Sequence, residues 1–289
     1  MRSIDTIADM KAAYQTARSK DQKIGFVPTM GALHEGHLSL VRRAKGLADV
    51  VVLSIFVNPT QFGSGEDFDC YPHDLPRDAG LAAEAGVDIL FTPSAKEIYP
   101  SGFSSYVVVE GIGERLEGAA RPGHFRGVAT VVLKLFQIVQ PDIAVFGQKD
   151  AQQTAVIKRL VHDLNLDVEI VVAPTVREKD GLALSSRNVH LSPAERLAAG
   201  VLGTALRRAE AHVAGGDTDA RGIAARISEE IRREPLAALD YAEVVSSDEF
   251  KPVDRIVTGS LAIVAAKVGG TRLIDNVVLN PPNERGATA

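Results

Sequence analysis

With one cysteine in 289 residues, the chain cannot close an internal disulfide. Cys70 sits beside Asp69 and Tyr71, with no cationic sequence neighbour to favour a thiolate, and is read as incidental. A reducing compartment, the cytoplasm, is expected. Long apolar runs are also missing: the longest strong one is Val50 to Val57, well below the ~18 residues of a membrane helix. Residues 1–10 lack the apolar core of a secretory signal, so neither membrane insertion nor export is expected. Basic charge is in short supply, with 32 Lys and Arg against 37 Asp and Glu for a net charge of −5. Binding driven by phosphate neutralisation needs a basic face, so no nucleic-acid partner is expected. There is no internal repeat and no low-complexity segment. A 45% apolar and 24% charged composition is that of an ordinary globular protein, long enough for two unequal domains.

What is present alternates. Ile24–Val27, Val50–Val57, Val87–Phe91, Asp142–Phe146 and Val168–Val172 read as strands apolar at nearly every position, as strands covered on both faces must be. Helical stripes lie between them, Val128, Val131, Leu135 and Val139 in one and Val156, Ile157, Leu160 and Val161 in another. The expected fold class is α/β, a Rossmann-like doubly wound parallel sheet over residues 1–174, in which ligands bind beyond the carboxyl ends of the strands. Tyr106 to Glu110 alternates like an extra edge strand, and Arg121 to Arg126 reads as a basic loop. Past Ala173-Pro174 the texture changes to two helices followed by strands, giving a smaller α+β domain over 175–289. Its first helix is marked by a Ser192/Glu195 capping box with Pro193 at the first helical position. Ile223, Ile227 and Ile231 mark the second, and Tyr241–Val245, Ser260–Val268 and Leu273–Leu279 the strands.

The stretch Pro28-Thr-Met-Gly-Ala-Leu-His-Glu-Gly-His37 joins the first of these strands to a helix. A helix start presents unpaired N–H groups and the positive end of the dipole, so anions are stabilised there. His34 and His37, three apart, share one side of the turn, and each can give one hydrogen bond to a polyphosphate while neutral. A zinc-peptidase helix would need histidines four apart with a glutamate between them, which this spacing lacks. A capped helix with polar residues at a solvated turn remains the plainer reading of these ten residues alone. At Phe146-Gly-Gln-Lys-Asp150 a capping box of Asp150 and Gln153 explains the acid but leaves Lys149 beside the positive end of a dipole; an anionic ligand resolves that conflict. Asp180 to Asn188 combines a turn, two hydroxyls and the Arg187 fork, a phosphate clamp or equally a surface turn. Asn58 to Asp67 is long and glycine-rich, and its end, 63–67, is expected to act as a lid.

Together these stretches, with Phe56-Val-Asn-Pro-Thr-Gln-Phe62, Arg121-Pro-Gly-His-Phe-Arg-Gly127 and Leu184-Ser-Ser-Arg-Asn188, resemble the pantothenate synthetase (pantoate–β-alanine ligase) family. That family belongs to the nucleotidylyl-transferase superfamily, whose signature is His-x-Gly-His. The resemblance implies a cytoplasmic, homodimeric ligase that condenses pantoate with β-alanine at the cost of ATP, through a bound pantoyl-adenylate, yielding pantothenate, AMP and pyrophosphate. Carried onto this sequence, it implies catalytic roles for His37, Lys149, Arg187 and His34. ATP would be bound by Met30, His34, His37, Gly147, Lys149, Asp150, Leu184, Ser185, Ser186 and Arg187, and pantoate by Pro28, Met30, Gln61 and Gln153. Mg2+ is expected with ATP, held mainly by phosphates, with Asp78 as its protein contact. Another adenylyl transferase would lack the paired glutamines. A nucleotide sensor would bind ATP and release nothing, and an RNA-binding synthetase fragment would need a basic surface.

Overall fold

The computed structural model describes residues 1–63, 68 and 71–282, and the chain divides into two compact units, 1–176 and 177–289. In the first, the alternating runs fold as β1 (Arg2–Ile4), α1 (Ile7–Arg18), β2 (Ile24–Thr29), α2 (Glu35–Lys45), β3 (Val50–Ile55), α3 (Leu75–Glu84), β4 (Ile89–Phe91), α4 (Ala95–Ile98), α5 (Glu117–Ala120), α6 (His124–Val139), β5 (Ile143–Gly147), α7 (Ala151–Asp163) and β6 (Glu169–Ala173). The strands form one six-stranded sheet in the order β1-β4-β3-β2-β5-β6, with every pair parallel. This is a doubly wound, Rossmann-like sheet, and the direction of winding reverses between β2 and β5, where such sheets bind ligands.

The sequence itself opens that point. The β2–β5 ladder ends at Phe26 opposite Ala144, while β2 stays in register with β3 as far as Thr29 opposite Ile55. Pro28 lies just beyond the last β5 rung and has no N–H to extend it. On one face of the sheet, Val27, Leu53, Leu90 and Val145 pack with Leu40, Val41 and Ala82 of α2 and α3. Phe26 and Phe146 meet Phe136 of α6 edge-on, at ring-centroid distances of 6.4 and 6.5 Å. Such buried side chains stabilise the fold by about 1.5–3 kcal/mol each.

The first unit adds one strand to the expected set and corrects one reading. β1 has three residues paired with three of β4, too few for periodicity to announce. Tyr106 to Glu110 is not a strand: the Val107 N–H donates to Thr130 Oγ1 at 3.0 Å, and the Arg126 guanidinium lies 3.5 Å from the centre of the Tyr106 ring. Side-chain anchors from α6 take the place of a ladder. The expected lid over 63–67 falls, apart from Gly63, outside the described residues, as does Cys70.

The second unit holds α8 (Pro193–Ala214), α9 (Ala220–Arg232) and an antiparallel sheet of β7 (Ala237–Val245), β8 (Ser260–Val268) and β9 (Thr271–Leu279) in the order β7-β8-β9. The Ser192/Glu195 capping box forms in both directions, and Leu202, Leu206, Ile223, Ile227 and Ile231 meet Val244, Val264 and Val268 in the core. No helix of the described residues is long and apolar enough to cross a membrane.

Candidate functional site

Both strands at the winding reversal end in turns that carry sequence-selected residues. After β2 the chain passes through Gly31 (φ +88°) and Ala32 (φ +49°) and enters α2 with His34 as its N-cap. The cap consists of two histidines. His34 Nδ1 accepts from the Gly36 N–H at 3.1 Å, and His37 Nδ1 accepts from the His34 N–H at 3.4 Å. The rings lie with centroids 4.2 Å apart.

An imidazole accepting at Nδ1 carries its proton, when neutral, on Nε2. The backbone therefore fixes one tautomer for both rings and leaves two Nε2–H donors. Desolvation is the largest cause holding each ring neutral: His34 is lowered to about 4, with Lys149 as the next cause, and His37 to about 3, with His34 as the next. The plain capped-helix reading and the anion reading thus describe the same geometry. The caps consume Nδ1, and the opposite edges remain polar donors.

After β5, Gly147 leads through the 3-10 turn Gln148–Asp150 into α7. Asp150 stands at the N-cap but makes no side-chain cap hydrogen bond, which corrects the expected Asp150/Gln153 capping box. Its Oδ1 lies 3.4 Å from Lys149 Nζ instead. Lys149 and Asp150 both act on His34 and His37, one lowering and the other raising each imidazole. The two turns form one polar group at the carboxyl edge of β2 and β5. Gln153 is partly buried in the first turn of α7. Its neighbour Gln152, passed over in the sequence, is buried and ties down a separate segment, donating to Ile112 O and Arg115 O and accepting from the Glu117 N–H.

Gln61 is 7% exposed, on the short turn Pro59–Gln61 that follows β3. Its amide is held from two sides: Oε1 accepts from Asn58 Nδ2 at 3.2 Å, and Nε2 approaches Met30 Sδ at 2.9 Å. Asn58 also donates to Gly127 O at 3.1 Å and accepts from the Tyr99 hydroxyl at 2.8 Å. Arg121–Arg126, expected as a basic loop, forms with Gly127 a clamp on this turn. α6 already begins at His124, whose Nδ1–H donates to Gln61 O at 2.8 Å while Nε2 accepts from Arg121 at 3.2 Å. Gly127 is required by the approach, since a Cβ there would lie 2.6 Å from Gln61 Cα. The motif was visible in the sequence. Its partner 66 residues earlier, at Gln61, was not.

Asp78, expected as a magnesium contact, is buried with both oxygens turned onto backbone N–H groups. It is 1% exposed; Oδ2 accepts from the Ala32 N–H at 2.7 Å and Oδ1 from the Leu33 N–H at 2.8 Å. No group of three or more His, Cys, Asp or Glu able to hold a metal occurs among the described residues.

In the second unit, Leu184, Ser185, Ser186 and Arg187 lie on a partly exposed loop. Ser185 caps the 3-10 turn Ser186–His190, accepting from the Arg187 N–H at 3.3 Å. The loop is braced from behind. Arg196 holds Asp180 and Glu178, each at 2.6 Å, and Asn188 Nδ2 donates to Glu178 and to Ala183 O at 3.2 and 3.1 Å. Arg177 forks onto the buried Asp275 at 2.6 and 2.9 Å.

Comparison with known proteins agrees with these motifs. The family described as pantoate-beta-alanine ligase matches residues 2–278. A pantothenate synthetase of Acetivibrio thermocellus is 57% identical over 279 residues, covering 96% of this chain and 99% of that protein. One of Pelotomaculum thermopropionicum is 56% identical over 275 residues, covering 95% and 98%. A crystal structure of pantothenate synthetase from Thermus thermophilus superposes with a TM-score of 0.92 at 48% identity, over 97% of this chain and 100% of that one. A pantoate-beta-alanine ligase from Francisella tularensis, solved in complex with beta-gamma ATP and beta-alanine, does so with a TM-score of 0.78 at 39% identity, covering 96% and 97%. The chain belongs to the pantothenate synthetase (pantoate–β-alanine ligase) family of ligases.

Proposed function

We propose that this family's reaction, the ATP-dependent condensation of pantoate with β-alanine, runs in this chain at the paired turns that follow β2 and β5. The observation that carries this is the double-histidine cap. Two neutral imidazoles with Nδ1 engaged by backbone offer Nε2–H donors at a helix start, beside Lys149. Such a set suits a triphosphate, because fixed donors act on charge that builds up during phosphoryl transfer without having to reorganise.

In the first step a pantoate carboxylate oxygen attacks the α-phosphorus, and the bond to pyrophosphate breaks. His34, His37 and Lys149 hold the phosphates and the charge that leaves with pyrophosphate, with His37 as the catalytic donor. Gly147 and Asp150 seat the nucleoside. Met30 makes apolar contact with the nucleotide, and in the second unit the loop of Leu184, Ser185, Ser186 and Arg187 carries an apolar group and donors of the kind that suit a nucleotide and its phosphates. Gln61 and Gln153, each offering donors and an acceptor, bind the hydroxyls and carboxylate of pantoate, with Pro28 and Met30 lining the same pocket. In the second step the β-alanine amine attacks the activated carbonyl carbon, AMP leaves and the amine gives up a proton. Both steps depend on positioning and electrostatics rather than on a protein nucleophile. Mg2+, expected with ATP, would be held mainly by phosphate oxygens and would offset their charge. The working form is a cytoplasmic homodimer over two domains, 1–174 and 175–289, with no nucleic-acid or membrane partner.

A pyrophosphate-release assay with each substrate omitted in turn tests this. Pyrophosphate should require ATP and pantoate, while AMP and pantothenate should require β-alanine as well. Lys149→Ala should lower the rate by about 10²–10³-fold while the fold survives. Pyrophosphate release without pantoate, or an unchanged rate in Lys149→Ala, would refute the assignment.

A further inference from the structure

The turn between β2 and α2 is an unfavourable piece of backbone. Gly31 and Ala32 both have positive φ, +88° and +49°, and only glycine tolerates that region without cost. Something must hold it. The Thr29 hydroxyl accepts from the Gly31 N–H at 3.2 Å, but the two N–H groups that follow are met from another element altogether. Asp78, in the first turn of α3, takes the Ala32 and Leu33 N–H groups on its two oxygens at 2.7 and 2.8 Å, and its side chain is 2% exposed. The adjacent Arg77 donates to Leu33 O at 3.3 Å, so α3 grips the Leu33 peptide at both its N–H and its carbonyl. Leu33 is followed directly by His34.

We infer that Asp78 is a positioning residue: its carboxylate fixes the 31–33 turn, and through it the direction in which the His34 and His37 Nε2–H donors point, rather than binding magnesium. This rests on the double-histidine cap being the phosphate site proposed above. A carboxylate is the one side chain that can accept from two successive N–H groups with no donor of its own to place against them. Asparagine, of the same shape, would turn an NH2 toward one of them. Both Asp78 oxygens are aimed at the turn's N–H groups in a side chain that is 2% exposed, so a metal would have to open the packing that closes a strained turn to reach their remaining lone pairs.

The test compares the wild-type chain with Asp78→Asn and Gly31→Ala. The second variant disturbs the same turn while keeping the carboxylate's charge and acceptors: its Cβ would lie 3.0 Å from Ile55 Cγ2 and 3.1 Å from Asp78 Oδ2 and must push the turn and the carboxylate apart. Pantoate-dependent ATP–pyrophosphate exchange is followed over a Mg2+ series, and the imidazole nitrogens of each protein are read by NMR. Both variants should lose about ten- to a hundredfold in maximal exchange rate, the scale of a misplaced catalytic group. Half-saturation by Mg2+ should stay within about twofold of wild type, and the His34 and His37 signals should lose the pure Nε2–H pattern. A tenfold rise in the Mg2+ requirement of Asp78→Asn, with full rate recovered at high Mg2+, would overturn the inference. So would a wild-type rate with wild-type imidazole signals. If Asp78→Asn does not fold, Gly31→Ala decides: an unchanged exchange rate there overturns the inference. Absence of exchange in the wild-type protein refutes the reaction assignment instead, and the imidazole signals still judge Asp78.

Discussion

The double-histidine cap makes the stability of the first unit depend on pH in a calculable way. An unfolded histidine takes up a proton as pH falls through 6.5, whereas folded His34 resists until about pH 4 and His37 until about pH 3. Above pH 7.5 both are neutral folded or unfolded and contribute nothing to the pH dependence. Between 6.5 and about 4 the unfolded chain holds more protons, so stability falls as pH falls, by up to about 1.4 kcal/mol per pH unit for each ring. The loss levels off below the folded values. From pH 7.5 to 5 a fully shielded ring would cost about 2 kcal/mol; solvent reaches the partly exposed His34, which brings its share nearer about 1 kcal/mol. His34→Asn removes that titration while leaving an N-cap, since an asparagine oxygen accepts the same kind of N–H. Urea unfolding of both proteins at pH 7.5 and 5.0 should show wild type losing about 1 kcal/mol more than the variant; distant titrating groups cancel in the difference, and His37, which loses a neighbour that helps to hold it neutral, moves it in the same direction. Equal losses in the two proteins, or NMR titration of either ring near pH 6.5, would refute the reasoning.

Two further outcomes follow from packing. Gly127→Ala should raise the KM for pantoate more than that for ATP, because the added Cβ would lie 2.6 Å from Gln61 Cα and N and must shift that turn and its contact with Met30, whereas Lys149 and the rest of the β5 turn are untouched; equal changes in both constants would remove the link to Gln61. Arg177→Met leaves Asp275, 3% exposed, buried without its fork, and should destabilise the second unit by about 3 kcal/mol, measured by thermal or urea unfolding. A loss below about 0.5 kcal/mol would mean that the pair contributes no more than a surface ion pair.

Much of the architecture was determined locally and was therefore legible in the residues. Ile24–Val27 and Ile143–Phe146 are apolar on both faces and announce buried parallel strands. Ser192, Pro193 and Glu195 announce a helix start through contacts made within one turn. His34 and His37 stand out for the same reason: two histidines three apart after a strand can meet only on one side of a helix turn. What the tertiary structure alone decided are the long-range partners. The three-residue β1 exists because β4 offers it a ladder 87 residues away. Asp78 stands four residues after the helix N-cap Asp74, where a metal role and a backbone role look the same on paper. Only the packing of α3 against the β2–α2 turn brings its two oxygens to Ala32 and Leu33. The Arg121–Gly127 clamp on Gln61 is of the same kind. The physical reason is range: propensity, patterning and capping act over a few residues and are encoded where they act, whereas a buried acceptor is assigned its donors only when distant segments close around it and exclude the water that would otherwise satisfy both.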